Sequence, residues 1–205
     1  MESSGLDITN TVKGVGTTSD RAPVSFLPNF LDSKAADEAF ATLLAELPWE
    51  RRTTEMYGKQ VLVPRMEIWI ADYPYTYSRR TYQPQPWTPT LLKIKKNIEA
   101  ATGAQFNSVL LNHYESGSDS VGWHADNEPE MSSEHPIASL SLGATRSFQM
   151  RKGDGPIHTI EVSHGSLLVM HAGMQQEWKH RVRKTKKPCG RRINLSFRWM
   201  NSHAE

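Results

Sequence analysis

The chain has a single cysteine, Cys189, among its 205 residues. An intrachain disulfide and a cysteine-built zinc site are therefore excluded. A reducing compartment, cytoplasmic or nuclear, is the expectation. No apolar run approaches the length that spans a bilayer. The first residues lack both a basic start and an apolar stretch, so neither a membrane anchor nor a secretory signal is expected. A large net charge is missing too. At +2 the total says little about partners. Its distribution says more, because Lys179, Arg181, Arg183, Lys184, Lys186, Lys187, Arg191, Arg192 and Arg198 follow one another with no acidic residue between them. Such a run is either a solvated loop or a surface that tracks phosphates.

With 38% apolar and 22% charged residues the composition is that of a globular domain. Met1 to about Asp20 is rich in Ser, Thr, Gly and Asp and reads as a mobile tail. Residues 21–205 read as one domain.

Its organisation follows from local pattern. "PVSFLP" is a short strand candidate. A helix follows, with Asp32 or Ser33 as cap and Ala36, Phe40, Leu43, Leu44 and Leu47 on one apolar face. A second helix has Thr88 as cap, Pro89 at the first helical position and Gly103 at its end. Between them, Arg51 to Pro86 has many aromatics and arginines and no helical period, so irregular hairpins forming a substrate-facing lid are expected. From about residue 104 to 200 short strand candidates alternate with turn residues: "FNSVLLNHY", "PIASLSLG", "RSFQMR", "HTIEVS", "GSLLVMH" and "RRINLSFRW". This texture predicts a β-sandwich or barrel, with the helices as a layer against it.

Within "VGWHADNEPE", His124 and Asp126 stand two apart. Strand side chains alternate faces, so both can aim at one ion if the stretch is extended. Alone the pair is a common surface feature. One imidazole and one carboxylate suit Fe(II), Mn or Zn, and a second histidine would complete a facial triad. Among the remaining histidines, His180 in "EWKHRV" lies between two strand candidates and opens the basic run. In "RRINLSFRW", Arg192, Asn194, Ser196 and Arg198 share one face, and Ile193, Leu195, Phe197 and Trp199 the other. The apolar face is core. Two arginines on the opposite face need anions if buried, and a dicarboxylate would meet their fork geometry. Asn112 and Tyr114 share a face in the same way.

The joint order Asn-x-Tyr, His-x-Asp, a distant His, then Arg-x-Asn-Leu-x-Phe-Arg resembles the AlkB family of Fe(II)/2-oxoglutarate-dependent nucleic-acid dealkylases. The resemblance covers roughly Pro64 to Trp199. It implies a double-stranded β-helix, or jelly roll, flanked by helices. His124, Asp126 and His180 would be catalytic ligands of Fe(II). Arg192 and Arg198 would hold the carboxylates of 2-oxoglutarate, with Asn112, Tyr114 and Ser196 completing that pocket.

The chemistry implied is oxidative decarboxylation of 2-oxoglutarate by O₂ to succinate and CO₂. It is coupled to hydroxylation of an N-methyl group, which leaves as formaldehyde. The expected substrates are 1-methyladenine and 3-methylcytosine in single-stranded DNA or RNA, as in repair of alkylation damage. Single strands fit because extruding a base costs least there. Tyr77 matches the position that stacks on the flipped base. Tyr75 and Arg65 match further substrate-side positions, and Glu128 an acceptor for the exocyclic amine. Asn127 stands where close mammalian members have a second aspartate, which leaves the preferred lesion open. A 2-oxoglutarate oxygenase acting on a protein or small molecule is the alternative. A non-catalytic nucleic-acid-binding module would not need the full triad. On this reading Asp126→Ala abolishes turnover and spares the fold.

Overall fold

Both helices start and stop where their caps require. In the computed structural model, Asp32 accepts a hydrogen bond from the Ala35 amide at 2.8 Å and opens α1 (Ser33–Glu46). Thr88 accepts from the Leu91 amide at 3.3 Å and opens α2 (Pro89–Thr102), which ends at Gly103 in the left-handed region (φ 68°). The structure describes residues 22–201 apart from 52, 57–58, 73–74, 78–79 and 83, and omits the side chains of 54–59, 61 and 73–83.

The strands in chain order are β1 (Val24–Leu27), β2 (Thr53–Met56), β3 (Lys59–Leu62), β4 (Met66–Ala71), β5 (Tyr75–Tyr77), β6 (Arg80–Tyr82), β7 (Ser108–Tyr114), β8 (Val121–His124), β9 (Ile137–Gly143), β10 (Arg146–Lys152), β11 (His158–Val162), β12 (Ser166–Met170), β13 (Trp178–Val182) and β14 (Arg192–Arg198). A four-residue helix, α3 (Met174–Glu177), precedes β13. A six-stranded sheet runs β1-β12-β9-β14-β7-β4 and a four-stranded sheet β11-β10-β13-β8, all neighbours antiparallel. The two sheets form the expected jelly roll.

Two sequence expectations need correction. The segment Arg51 to Pro86 does contain hairpins, β2-β3 and β5-β6. Between them, however, β4 is a regular strand of the larger sheet, paired with β7 from Met66↔His113 to Ala71↔Ser108. Its residues Ile68 to Ala71 are all buried, and burial on both faces hides the alternation that marks a strand. Likewise "WKHRV", placed between two strand candidates, is itself a strand, β13. Trp178, His180 and Val182 are buried, whereas Lys179 is exposed. The inward imidazole occupies a position where an apolar residue would have revealed the period.

One core lies between the larger sheet and the two long helices. It joins Ala36, Leu43, Leu91, Ile94 and Ile98 to Val109, Leu111, Ile193, Leu195 and Phe197. A second lies between the sheets and includes Tyr114, Phe148, Met150, Ile160, Leu168, Met170 and Trp178. On β14 the apolar face belongs to the first core. Its polar face therefore looks into the space between the sheets, and all seven of its residues are buried. A buried polar face on a central strand needs a reason, because such groups are costly without partners.

His113 shows the same strand logic in the opposite sense. It alternates with Asn112 and Tyr114, faces the helix layer, and packs on Trp49 with ring centroids 5.1 Å apart. Neither ring nitrogen has a hydrogen-bond partner among the described residues. Burial lowers its pKa from 6.5. The charges of Arg191 and Arg51 push the same way, while Glu115 and Asp119 oppose. A neutral buried imidazole binds fewer protons than the unfolded chain, so its contribution is fully present above about 6.5 and is lost as pH falls below it. His113→Leu is therefore expected to flatten the acid limb of stability. Urea unfolding at several pH values should show a wild-type loss, relative to the variant, of up to ~1.4 kcal/mol per pH unit below that point. Parallel curves would contradict this.

Candidate metal centre and anion pocket

β8 and β13 are neighbours in the smaller sheet, and their register puts His124 directly opposite His180. The two rings stand 4.2 Å apart between centroids. β8 ends at His124, and Asp126 follows in a loop. Ligand atoms of His124, Asp126 and His180 all lie within 4.8 Å of one another. Three residues from two strands and a loop thus meet at one point.

Their protonation suits a cation. His124 Nδ1 lies 2.9 Å from the Gly122 carbonyl oxygen. A carbonyl only accepts, so Nδ1 carries a proton and Nε2 is the nitrogen left to face a metal beside Asp126. His180 is buried and its Nδ1 has no partner among the described residues. Burial pulls its pKa down to about 3, helped by the charges of His124 and Arg198 and opposed by Asp126. It is therefore a neutral imidazole, the form that ligates. Burial by itself would raise the Asp126 carboxyl. Arg198, 2.6 Å away, and the two histidines outweigh it and hold the group at about 2. Two imidazoles and one ionised carboxylate form a donor set that fits Fe(II), with positions left open for other ligands.

The anion pocket is built on β14 and β7. Register pairs Arg192 with Tyr114, Asn194 with Asn112, and Arg198 with Ser108. Arg192 is 1% exposed. Its Nη2 donates to Ser141 Oγ at 2.9 Å and to Asn194 Oδ1 at 2.7 Å, while Nε and Nη1 are buried without a partner among the described residues. Its guanidinium lies over the Tyr114 ring, 5.0 Å from the centroid. Burial lowers its pKa. Arg198 Nε is likewise buried and unpartnered among the described residues. A buried guanidinium with idle donors costs free energy until an anion meets it. The geometry therefore suits a small dicarboxylate bound between the sheets, beside the metal position.

The structure places the other expected residues unevenly. Asn112 lies in the pocket but is engaged, accepting from Arg65 Nε at 2.7 Å. Ser196 Oγ accepts from Asn194 Nδ2 at 2.9 Å. Arg65 also pairs with Glu67 at 2.5 Å, so its guanidinium is tied to the pocket rim. Glu128 follows Asp126 by two residues, and its Oε2 is buried with no partner among the described residues. Tyr75 and Tyr77 belong to β5, but their side chains lie outside the described residues.

Sequence reasoning missed several participants. Ser139 and Ser141 of β9 orient Asn194 and Arg192 from across the sheet. Arg146 is buried, lies over the Tyr114 ring at 5.5 Å, and donates to the carbonyl oxygens of Ser116, Asp119 and Arg183. The alternation of "IASLSLG" could have pointed to the serines. Nothing in the local sequence marks Arg146.

Comparison with known proteins agrees with this geometry. Residues 23–198 match the family described as "2OG-Fe(II) oxygenase superfamily". The chain is 43% identical over 186 residues to Alpha-ketoglutarate-dependent dioxygenase alkB homolog 3 of Bos taurus, covering 85% of this chain and 65% of that one. It is 37% identical over 177 residues to DNA oxidative demethylase ALKBH2 of Homo sapiens, covering 80% of this chain and 68% of that one. The chain is a member of the AlkB family of 2OG-Fe(II) oxygenases. It spans just under two thirds of the length of the alkB homolog 3 relatives. A solved structure described as "The structure of OsALKBH1" superposes with a TM-score of 0.64 at 18% identity. It covers 87% of this chain and 97% of the other, and shares the fold. Members of this superfamily use Fe(II) and 2-oxoglutarate, the two groups for which the His-Asp-His cluster and the idle arginine donors are suited. No helix among the described residues is long and apolar enough to cross a membrane.

Proposed function

We propose that this protein removes methyl groups from 1-methyladenine and 3-methylcytosine in single-stranded DNA or RNA. It would do so as an Fe(II)- and 2-oxoglutarate-dependent dioxygenase of alkylation repair. One observation carries the reading. The His124-Asp126-His180 cluster, with Asp126 and His180 buried and His124 half-buried, shares the space between the sheets with Arg192, whose Nε and Nη1 have no partner among the described residues. Bound there, iron with 2-oxoglutarate supplies the activation of O₂ that hydroxylates the N-methyl group.

The protein's own groups orient and select. Arg192 takes the far carboxylate of the cosubstrate against the Tyr114 ring. Arg198 fixes the Asp126 carboxylate. Asn112 and Arg65 link the cosubstrate side to the rim of the lid. Glu128 offers a buried, unfilled acceptor two residues from a metal ligand, suited to the exocyclic amine of a cationic base. Tyr75 and Tyr77 would stack on that base. Asn127 is exposed, so its neutral side chain alters the rim of the site more than its interior.

Strand binding fits the basic run. Lys179, Arg183, Lys184, Lys186 and Lys187 are all exposed, on β13 or just after it. Arg181 is held instead, its Nε donating to Gln149 at 2.8 Å and its guanidinium 4.3 Å from the Trp123 ring centroid. Lys186→Glu with Lys187→Glu is expected to weaken single-strand binding. The slope of log affinity against log salt should become shallower by ~0.7 for each phosphate that is no longer neutralised. An unchanged slope in a fluorescence-anisotropy titration would remove these lysines from the track.

Substrate class is tested by mass spectrometry of methylated oligonucleotides after incubation with Fe(II), 2-oxoglutarate and air. DNA and RNA, single strand and duplex, form the arms. Restored adenine or cytosine, faster in single strands, is expected. Restoration in no arm, with 2-oxoglutarate still consumed, would favour a protein or small-molecule substrate.

A further inference from the structure

Asp126 departs from the rule that a metal ligand sits on a rigid element. It lies past the end of β8, where no ladder hydrogen bond holds it. Arg198 restrains its carboxylate. Its main chain is restrained by something else: the Asp126 amide donates to Gln175 Oε1 at 3.0 Å, across 49 residues of chain. Gln175 is half-buried on α3. Its Nε2 lies 3.4 Å from Met170 Sδ, a weak acceptor, which turns the amide so that the oxygen faces Asp126.

α3 is itself seated on the same loop. Gly173, at φ 80° before the helix, donates its amide to the Ser133 carbonyl oxygen at 3.1 Å. Two residues before Gly173, the His171 amide donates to the Pro23 carbonyl oxygen at 2.9 Å, and His171 Nε2 meets Ser25 Oγ at 2.8 Å. The turn carrying Gln175 is thus fixed to β1 and grips the 126–133 segment at two points. Between those points lies Glu128, whose Oε2 is buried and unpartnered among the described residues. Downstream the segment is sewn to the end of β14 by Ser132 N–H to Trp199 O at 3.0 Å and Asn201 N–H to Glu130 O at 2.8 Å.

We infer that Gln175 is a positioning residue that clamps the ligand loop, setting Asp126 against the metal and holding Glu128 in place beside it. This rests on the reading of His124, Asp126 and His180 as a metal site. The needed group is an acceptor at the end of a two-carbon stem. Glutamate keeps an oxygen acceptor there, alanine offers none, and methionine offers only a weakly accepting sulfur. Hydrogen-bonding partners of ligands typically affect metal affinity by about 10- to 100-fold.

The test uses Mn(II), which does not oxidise in air, as the probe. Mn(II) affinity is measured by calorimetry on the full chain with 2-oxoglutarate present, alongside thermal unfolding of the metal-free protein. Gln175→Met is expected to weaken Mn(II) binding by at least about tenfold, with Gln175→Glu restoring it to within about threefold of wild type. Gln175→Ala serves in place of the methionine variant if the latter does not fold. Equal affinity in the methionine or alanine variant and wild type would overturn the inference. So would a glutamate variant as weak as methionine, because the effect would then come from packing and not from the acceptor. Failure of the metal-site reading looks different: wild type itself would take up no Mn(II), and Asp126→Asn would change nothing.

Discussion

Asp126→Asn should reduce turnover to background and weaken metal binding by more than about 100-fold, beyond the usual cost of an outer-sphere change. The domain should remain folded. Asparagine keeps the volume and still offers Arg198 Nη2 an acceptor where the carboxylate Oδ2 sat at 2.6 Å. It loses the charge that a divalent ion needs and that holds the buried Arg198 in a neutral pair. Asp126→Ala is a worse probe. Alanine leaves the buried Arg198 guanidinium with neither a counter-charge nor an acceptor, and breaking a buried pair in this way costs about 3–5 kcal/mol. Comparing the two variants by calorimetry and thermal unfolding separates ligand loss from fold loss. Near-wild-type turnover in Asp126→Asn would remove this residue from the metal site.

Arg192→Met should produce the second large effect, confined to the cosubstrate. Methionine fills similar space without the fork. Losing one partner of a buried charge pair costs about 2–5 kcal/mol, so 2-oxoglutarate should bind roughly 30- to several-thousandfold more weakly. Mn(II) binding without cosubstrate should persist, because Arg192 bonds to Ser141 and Asn194 and not to the ligand triad. The melting temperature of the metal-free, cosubstrate-free protein should hold or rise. In that state Nε and Nη1 are buried without partners among the described residues, and removing them relieves a cost. Unchanged 2-oxoglutarate affinity would show that the dicarboxylate does not sit against Arg192.

The expectations that held share a physical basis: they rested on residues close in sequence and on strict periods. Asp32, Thr88, Pro89 and Gly103 announce helix ends through their own chemistry: Asp32, Thr88 and Gly103 are caps in the structure and Pro89 is the first helical residue. The alternation in "RRINLSFRW" gave both faces of β14 correctly. It overran the strand by one residue, since Trp199 lies past its end and stacks on His135 with centroids 5.1 Å apart. The expectations that needed correction involve burial on both faces or a polar residue at an inward position. β4 lost its alternation because Ile68, Trp69, Ile70 and Ala71 are all buried. β13 was obscured by His180, polar in an apolar register. The motif order brought His124, Asp126, His180 and the arginines together, and the structure adds their register. Gln175, Ser141 and Arg146 act through hydrogen bonds made across tens of residues. Local alternation can mark Ser141 as inward-facing, but its partner, like those of Gln175 and Arg146, depends on which strands and loops the fold sets side by side.

The most direct test measures all products together. Wild-type protein is incubated with Fe(II), 2-oxoglutarate and a single-stranded oligonucleotide carrying 3-methylcytosine, and succinate, formaldehyde and restored cytosine are measured in the same reaction. A shared site between the sheets predicts one succinate and one formaldehyde for each cytosine restored at saturating oligonucleotide, and none of the three above background with Asp126→Asn. Succinate formed without formaldehyde or restored base would contradict it, because 2-oxoglutarate oxidation would then be uncoupled from any alkylated base.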